Sequence, residues 1–305
     1  MNRKLKFDND LISLLKLSIK EDIGKGDITS NILIPRMSKS ISHIIVRENS
    51  VICGIPVAKK VFELIDSSIQ FKASVLDGER VSDKEIIATI SGTTRSILMG
   101  ERLALNFLQR LSGISTLTRK FVEAIVRNGL KPFPTVKILD TRKTTPLWRR
   151  FEKYAVVVGG GVNHRFGLYD QILIKDNHIK AAGSVTKALE ITMKKNKSKL
   201  PVIIEIQNKK ELLEIFGERC ASKIIKERYV SSAPKFSVDV VMLDNMSVKE
   251  IKECVDIINS RCQIEISGNV NLNNIEKYRD LKIHRISIGA LTHSVKAIDI
   301  SLELI

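Results

Sequence analysis

The chain has 305 residues, 43% of them apolar, with 50 basic and 34 acidic side chains that give a formal charge of +16 and an isoelectric point near 9.7. That length suits about two domains of roughly 150 residues, and no stretch approaches the ~20 uninterrupted apolar residues of a membrane span. The amino-terminal Met1–Lys6 leads into polar Asp8-Asn9-Asp10 where a signal peptide would need its apolar centre, and Cys53, Cys220, Cys254 and Cys262 form no C-x-x-C pair of the kind a disulfide framework or zinc site uses; the expectation is a soluble cytoplasmic protein.

The first third reads as an α+β module. An amphipathic helix is expected from about Asp8 to Glu21, then a glycine-punctuated loop over Glu21–Ser30. Strands are expected at Ser42–Arg47, Val51–Ile55, Ile69–Val75 and Glu85–Ser91, with a helix at Val57–Ile65, giving a largely antiparallel sheet. A longer helix follows from about Thr94 to Leu111, is expected to stop at Ser112-Gly113, and a new one to begin at Ser115-Thr116 toward Gly129.

Beyond this point the pattern changes to short, β-branched apolar runs that each break off into a polar cluster. The runs are Val136–Leu139, Ile172–Ile174, Val202–Ile204, Val238–Leu243, Ile264–Ile266 and Ile286–Ile288, and they read as buried parallel strands. Helical spacing recurs between them at Ser184–Lys194, Ser247–Asn259 and Asn271–Tyr278. Alternating strands and helices with polar residues at the strand C-termini form the layout of an α/β barrel, whose chemistry sits on that face. The link over about 217–237 is longer than an ordinary connection and reads as a basic surface insertion.

The polar clusters favour anions. Asp140-Thr141-Arg142-Lys143-Thr144-Thr145-Pro146 places a guanidinium, which binds carboxylate or phosphate through two parallel hydrogen bonds, beside a mobile ammonium; a solvated basic turn is the alternative. Gly159–Gly161 followed by Asn163-His164-Arg165 adds a flexible turn and a second cationic pair, without the G-x-G-x-x-G spacing of a dinucleotide site. Lys175 and His178 contribute further positive charge, although a lone histidine beside a strand is more often a structural hydrogen-bonder. Glu205 and Asp244 suit sugar hydroxyls or a Mg²⁺ carried by a phosphate. Ser267-Gly268-Asn269 and Gly289-Ala290 fall where barrels hold a phosphate on backbone N–H groups. No Ser-His-Asp, Cys-His or zinc constellation appears, so the expected reaction needs charge stabilisation and no protein nucleophile. Lys194–Lys199 and Lys223–Arg228 carry diffuse charge expected at solvated helix ends and loops. A nucleic-acid-binding protein is the competing class, but aromatic residues are only 5% and no stacking platform appears.

Several long motifs, in order, carry a family resemblance. They include Glu21-Asp22-Ile23-Gly24-x-Gly26-Asp27-Ile28-Thr29, Glu101-Arg102-x-Ala104-Leu105-Asn106, Asp140–Pro146, Glu152-Lys153-Tyr154-Ala155-Val156, Gly159–Arg165, Leu173–His178, Met242–Met246 and Ser287-x-Gly289-Ala290-Leu291-Thr292-His293. Over nearly its whole length the chain resembles quinolinate phosphoribosyltransferase. A molybdenum-transport branch shares that fold; the intact Asn163-His164-Arg165 and Lys175–His178 favour the biosynthetic enzyme. A sibling acting on nicotinate would meet one carboxylate fewer. The family usually continues Thr-Thr-Pro with Gly-Leu-Arg, whereas here Pro146 precedes Leu147-Trp148-Arg149, which is expected to alter a turn near the cradle.

The resemblance implies an α/β fold: an N-terminal α/β sandwich over 1–113, with about 294–305 as a possible addition, followed by an incomplete (β/α) barrel over 114–293. It implies conversion of quinolinate and phosphoribosyl pyrophosphate, with Mg²⁺, to nicotinate mononucleotide, pyrophosphate and CO₂ in NAD biosynthesis. A homodimer or hexamer with shared active sites follows, and neither nucleic acid nor membrane is an expected partner. Arg142, Lys143, Lys175, Glu205 and Asp244 are the catalytic candidates. Arg102, Arg142, His164, Arg165 and Lys175 would meet the two carboxylates, with Lys143 near the pyrophosphate. Glu205 and Asp244 would hold ribose hydroxyls or the metal, and Ser267, Gly268, Asn269, Gly289 and Ala290 complete the substrate-binding set around the 5′-phosphate.

Overall fold

The computed structural model describes residues 5–126, 136–217 and 236–305. The end of the helix expected to reach Gly129, and nearly all of the basic insertion, lie outside the described residues. The chain forms two compact units, one from Met1–Lys120, Lys143–Gly161 and Ala290–Ile305, the other from Phe121–Arg142 and Val162–Gly289.

In the first unit Asp8 caps α1 (Asn9–Ile23), accepting from the Leu11 amide at 3.1 Å, and the helix buries Leu11 and Leu15. Part of the expected loop is helical: Asp27 accepts from the Ser30 amide at 3.0 Å and starts α2 (Ile28–Leu33). Strands β1 (Lys39–Val46), β3 (Gln70–Ala73), β5 (Ile86–Thr93) and β12 (Ile300–Leu304) form an antiparallel sheet in the order β12-β1-β5-β3, beside a ribbon of β2 (Ser50–Val51) and β4 (Arg80–Val81). The strand expected over Val51–Ile55 ends after two residues because Gly54 turns at φ +108° and Asp77 takes the Gly54 and Ile55 amides, both at 2.9 Å, opening α3 (Ile55–Ile65).

The break expected at Ser112-Gly113 does not occur: α4 runs unbroken over Thr94–Ile125. A Cβ on Gly113 would lie 2.3 Å from the Lys296 carbonyl oxygen, so this glycine serves close packing rather than a helix stop. The Ser112 hydroxyl accepts from the Cys53 amide at 3.0 Å, and Ser115 donates to the Val51 carbonyl at 2.6 Å, so both side chains anchor β2 and its exit instead of capping. This unit is completed by α5 (Arg149–Val158) and the short α10 (Ala290–His293).

The second unit is built on six parallel strands: β6 (Lys137–Leu139), β7 (Ile172–Ile174), β8 (Val202–Ile206), β9 (Val240–Asp244), β10 (Gln263–Ser267) and β11 (Arg285–Ser287). Their order is β6-β11-β10-β9-β8-β7, which together with α6 (Asp176–Ala182), α7 (Val185–Lys195), α8 (Lys209–Phe216) and α9 (Val248–Ile258) makes an incomplete α/β barrel. Its core includes Leu173, Ile203, Val240 and Met242. Ser184 and Ser247 cap α7 and α9, as helix-start chemistry predicts. The helix expected over Asn271–Tyr278 shrinks to a 3₁₀ turn at Ile275–Tyr278, because Asn271 and Asn274 side chains take the Asn273 and Asn271 amides. No described helix is long and apolar enough to cross a membrane.

Candidate active site

Strand register decides which side chains meet in the second unit. Met242 is level with Glu205 on one side and Glu265 on the other, and Asp244 is level with Ser267. Neighbours in register point the same way and side chains alternate along a strand, so Glu205, Asp244, Glu265 and Ser267 share one face. Three of these are expected site residues. Glu265 is not; it was hidden inside an apolar run, and the signal that exposes it is its spacing of two from Ser267.

An acidic corner forms where β8 meets β7 and β9. Glu205 is buried, with Oε2 3.5 Å from the Lys175 ammonium. Burial pushes its carboxyl above the ordinary range, Lys175 opposes this, and Asp244 and Asp176 push it further up. A cation brought by a substrate would reverse that tendency, and one or two carboxylates plus phosphate oxygens are what Mg²⁺ ordinarily takes. Among the described residues no group of three or more His, Cys, Asp or Glu could hold a metal without such help. His178 accepts the Lys175 amide on Nδ1 at 3.0 Å, which makes it part of the start of α6.

A cationic corner lies after β6. Arg142 is exposed, whereas Arg165 is buried; burial first, and the Arg142 guanidinium second, work against the Arg165 charge, with Asp170 partly offsetting them. Two guanidinium groups that repel each other are relieved by a bound anion. The loop carrying Arg165 is tied by Asp170, which accepts the Phe166 and Gly167 amides at 2.6 and 3.0 Å. His164 is buried: its amide donates to Asp140 at 2.9 Å, its Nδ1 accepts the Arg165 amide at 2.8 Å, and its Nε2 lies 3.4 Å from Glu265. Asp140, fully buried, therefore shapes this loop.

Behind Ser267 the chain turns through left-handed backbone at Gly268 (φ +90°) and Asn269 (φ 51°), facing Asn245 (φ 55°) at the end of β9. A Cβ on Gly268 would meet Asn245 Oδ1 at 2.2 Å, so only glycine fits. Asn269 donates to that same oxygen at 3.1 Å, and Asn245 donates to Asp244 at 2.7 Å, linking this turn to the acidic corner. Gly289 follows β11, where the Ile288 amide donates to Leu139 at 2.9 Å.

Arg102, Lys143 and Ala290 belong to the first unit. Arg102 is exposed on α4. The Lys143 carbonyl accepts from Thr292 at 2.7 Å, and two residues on, Thr145 is gripped by the fully buried Glu152 through its amide (3.1 Å) and hydroxyl (2.8 Å). Arg110 completes this knot, 2.9 Å from Glu152. Neither Arg110 nor Glu152 has a role in the sequence reading, although Glu152 opens one of its motifs.

The family model for the quinolinate phosphoribosyl transferase N-terminal domain matches residues 27–112, and that for the C-terminal domain matches 114–303. The chain belongs to the quinolinate phosphoribosyltransferase family. Quinolinate phosphoribosyltransferase (decarboxylating) 1 of Nicotiana glauca is 38% identical over 97% of this chain and 82% of its own. The probable nicotinate-nucleotide pyrophosphorylase (carboxylating) of Bacillus subtilis is 35% identical over 96% and 93%. The crystal structure of NadC from Streptococcus pyogenes aligns over 99% of both chains with a TM-score of 0.86 and 36% identity. Leu147, where the resemblance leads one to expect glycine, stands at φ 65° with 78% of its surface exposed, inside the turn closed by the Trp148 amide on the Thr145 carbonyl at 3.1 Å.

Proposed function

We propose that the protein transfers the phosphoribosyl group of phosphoribosyl pyrophosphate to the ring nitrogen of quinolinate, giving nicotinate mononucleotide, pyrophosphate and CO₂ for NAD biosynthesis. Membership of the family carries this reading, and the pairing of Arg142 with a buried Arg165 supports it, since a dicarboxylate relieves two like charges better than a monocarboxylate. As pyrophosphate departs, positive charge grows at the ribose carbon and negative charge on the leaving group; fixed cations such as Lys143 and Lys175 stabilise the latter without reorganising. Glu205 and Asp244 would face the ribose hydroxyls. They would also hold Mg²⁺ arriving with the pyrophosphate, which neutralises leaving-group charge. After the new bond forms, the cationic pyridine ring accepts the electrons left by CO₂, so no protein acid is needed to begin decarboxylation. Ser267, Gly268, Asn269, Gly289 and Ala290 would take the 5′-phosphate.

A cytoplasmic homodimer or hexamer with shared active sites is part of the proposal, with Arg102 reaching a neighbouring subunit's substrate. The deciding experiment offers quinolinate, nicotinate and nicotinamide in parallel with phosphoribosyl pyrophosphate, with and without Mg²⁺. Quinolinate alone should be consumed, with matched release of pyrophosphate and CO₂ that stops on chelation. Equal turnover of nicotinate would sink the assignment.

A further inference from the structure

A line of polar groups lies behind the Arg165 end of the site. The Arg165 amide donates to Nδ1 of His164 at 2.8 Å, and Nε2 of the same ring is 3.4 Å from Oε1 of Glu265. The other carboxylate oxygen, Oε2, is 4.0 Å from Nη1 of Arg285, whose Nε is fixed by Gln263 at 2.8 Å. Glu265 has no exposed surface and sits in the middle of β10. Burying a carboxylate is costly, and an apolar side chain such as that of its neighbour Met242 would pack here without that cost. A ring nitrogen that accepts a hydrogen bond carries no proton, so the proton of the His164 imidazole is on Nε2, the atom that faces Glu265.

We propose that Glu265 is a positioning residue: it holds His164 in the Nε2–H form, and the imidazole, through its Nδ1 acceptor, fixes the main chain of Arg165 and so aims that guanidinium at a substrate carboxylate. Glu265 touches no substrate; it acts through His164. The idea rests on the quinolinate reading for its kinetic consequence but not for the state of the ring.

The ring is therefore tested first, in the wild-type protein, by long-range ¹H–¹⁵N correlation of the histidine side chains at neutral pH, with His164 assigned from a His164→Gln spectrum. Nε2–H is expected; a proton on Nδ1, or on both nitrogens, would overturn the proposal whatever the activity. In Glu265→Leu the KM for quinolinate should rise roughly tenfold, the scale of one hydrogen bond involving a charged group, while the KM for phosphoribosyl pyrophosphate changes less than about twofold. Glu265→Gln, whose amide oxygen can stand where the carboxylate oxygen lies 3.4 Å from Nε2, should recover most of the loss, and it decides the matter if the leucine variant does not fold. Because the effect passes through His164, adding Glu265→Leu to His164→Ala should cost nothing further. Additive losses, or equal changes in both KM values and kcat, would mean that Glu265 only supports the fold. Inactivity of the wild type on quinolinate would overturn the functional reading and leave the ring test standing.

Discussion

Leu147 is a residue whose backbone and side chain disagree. A β-carbon at φ 65° costs about 1–2 kcal/mol relative to glycine, and a side chain that is 78% exposed has little packing to offset it within one chain. Leu147→Gly should therefore stabilise the protein by up to about 1 kcal/mol, the glycine's extra unfolded-state freedom removing part of the gain; urea unfolding would show a higher midpoint at unchanged slope. A lower midpoint would mean that the leucine makes a contact that the isolated chain lacks. The position was legible as a departure from the family pattern, but only the backbone angle shows why glycine is the ordinary choice. Glu265 illustrates the opposite limit. One acidic residue between two isoleucines looks like noise in a buried strand, and its meaning depends on a histidine more than one hundred residues earlier in the chain.

At the scale of elements, all six barrel strands were readable because each is buried and β-branched, and the acids and hydroxyls at their ends were readable because that face must stay polar. What sequence patterns mistook were decisions made by distant partners. Ser112-Gly113 has the composition of a helix stop, yet its serine bonds to β2's exit and its glycine admits the Lys296 backbone. The junction between β5 and α4 depends on another distant partner: Asp66, after α3, accepts from Ser68, from Thr93 at 3.0 Å and from Ser96 at 2.7 Å. These hydrogen bonds hold its carboxyl at about 2, below the ordinary 3.8. Since the folded value is the lower one, the stability it contributes is complete above pH 3.8 and fades as pH falls toward about 2. The difference in melting temperature between the wild type and Asp66→Asn should thus be widest above about pH 4 and close by about pH 2; a gap that does not vary with pH would show that the carboxylate's charge is immaterial.

For the whole molecule, the proposed sharing of sites between subunits has a test that neither subunit can pass alone. Arg102→Ala and Arg142→Ala should each be nearly inactive as homodimers. After subunit exchange, mixed dimers should regain activity, because one of their two sites receives both arginines and the other neither. If exchange is demonstrated and activity does not return, Arg102 serves its own subunit or the packing of α4. The path of the chain adds a matter of timing. The first unit takes its edge strand β12 from Ile300–Leu304 and the packing partner of Gly113 from Lys296, and both follow the whole of the second unit in chain order. During translation the first unit's sheet therefore waits with an open β1 edge until the whole of the second unit has been made.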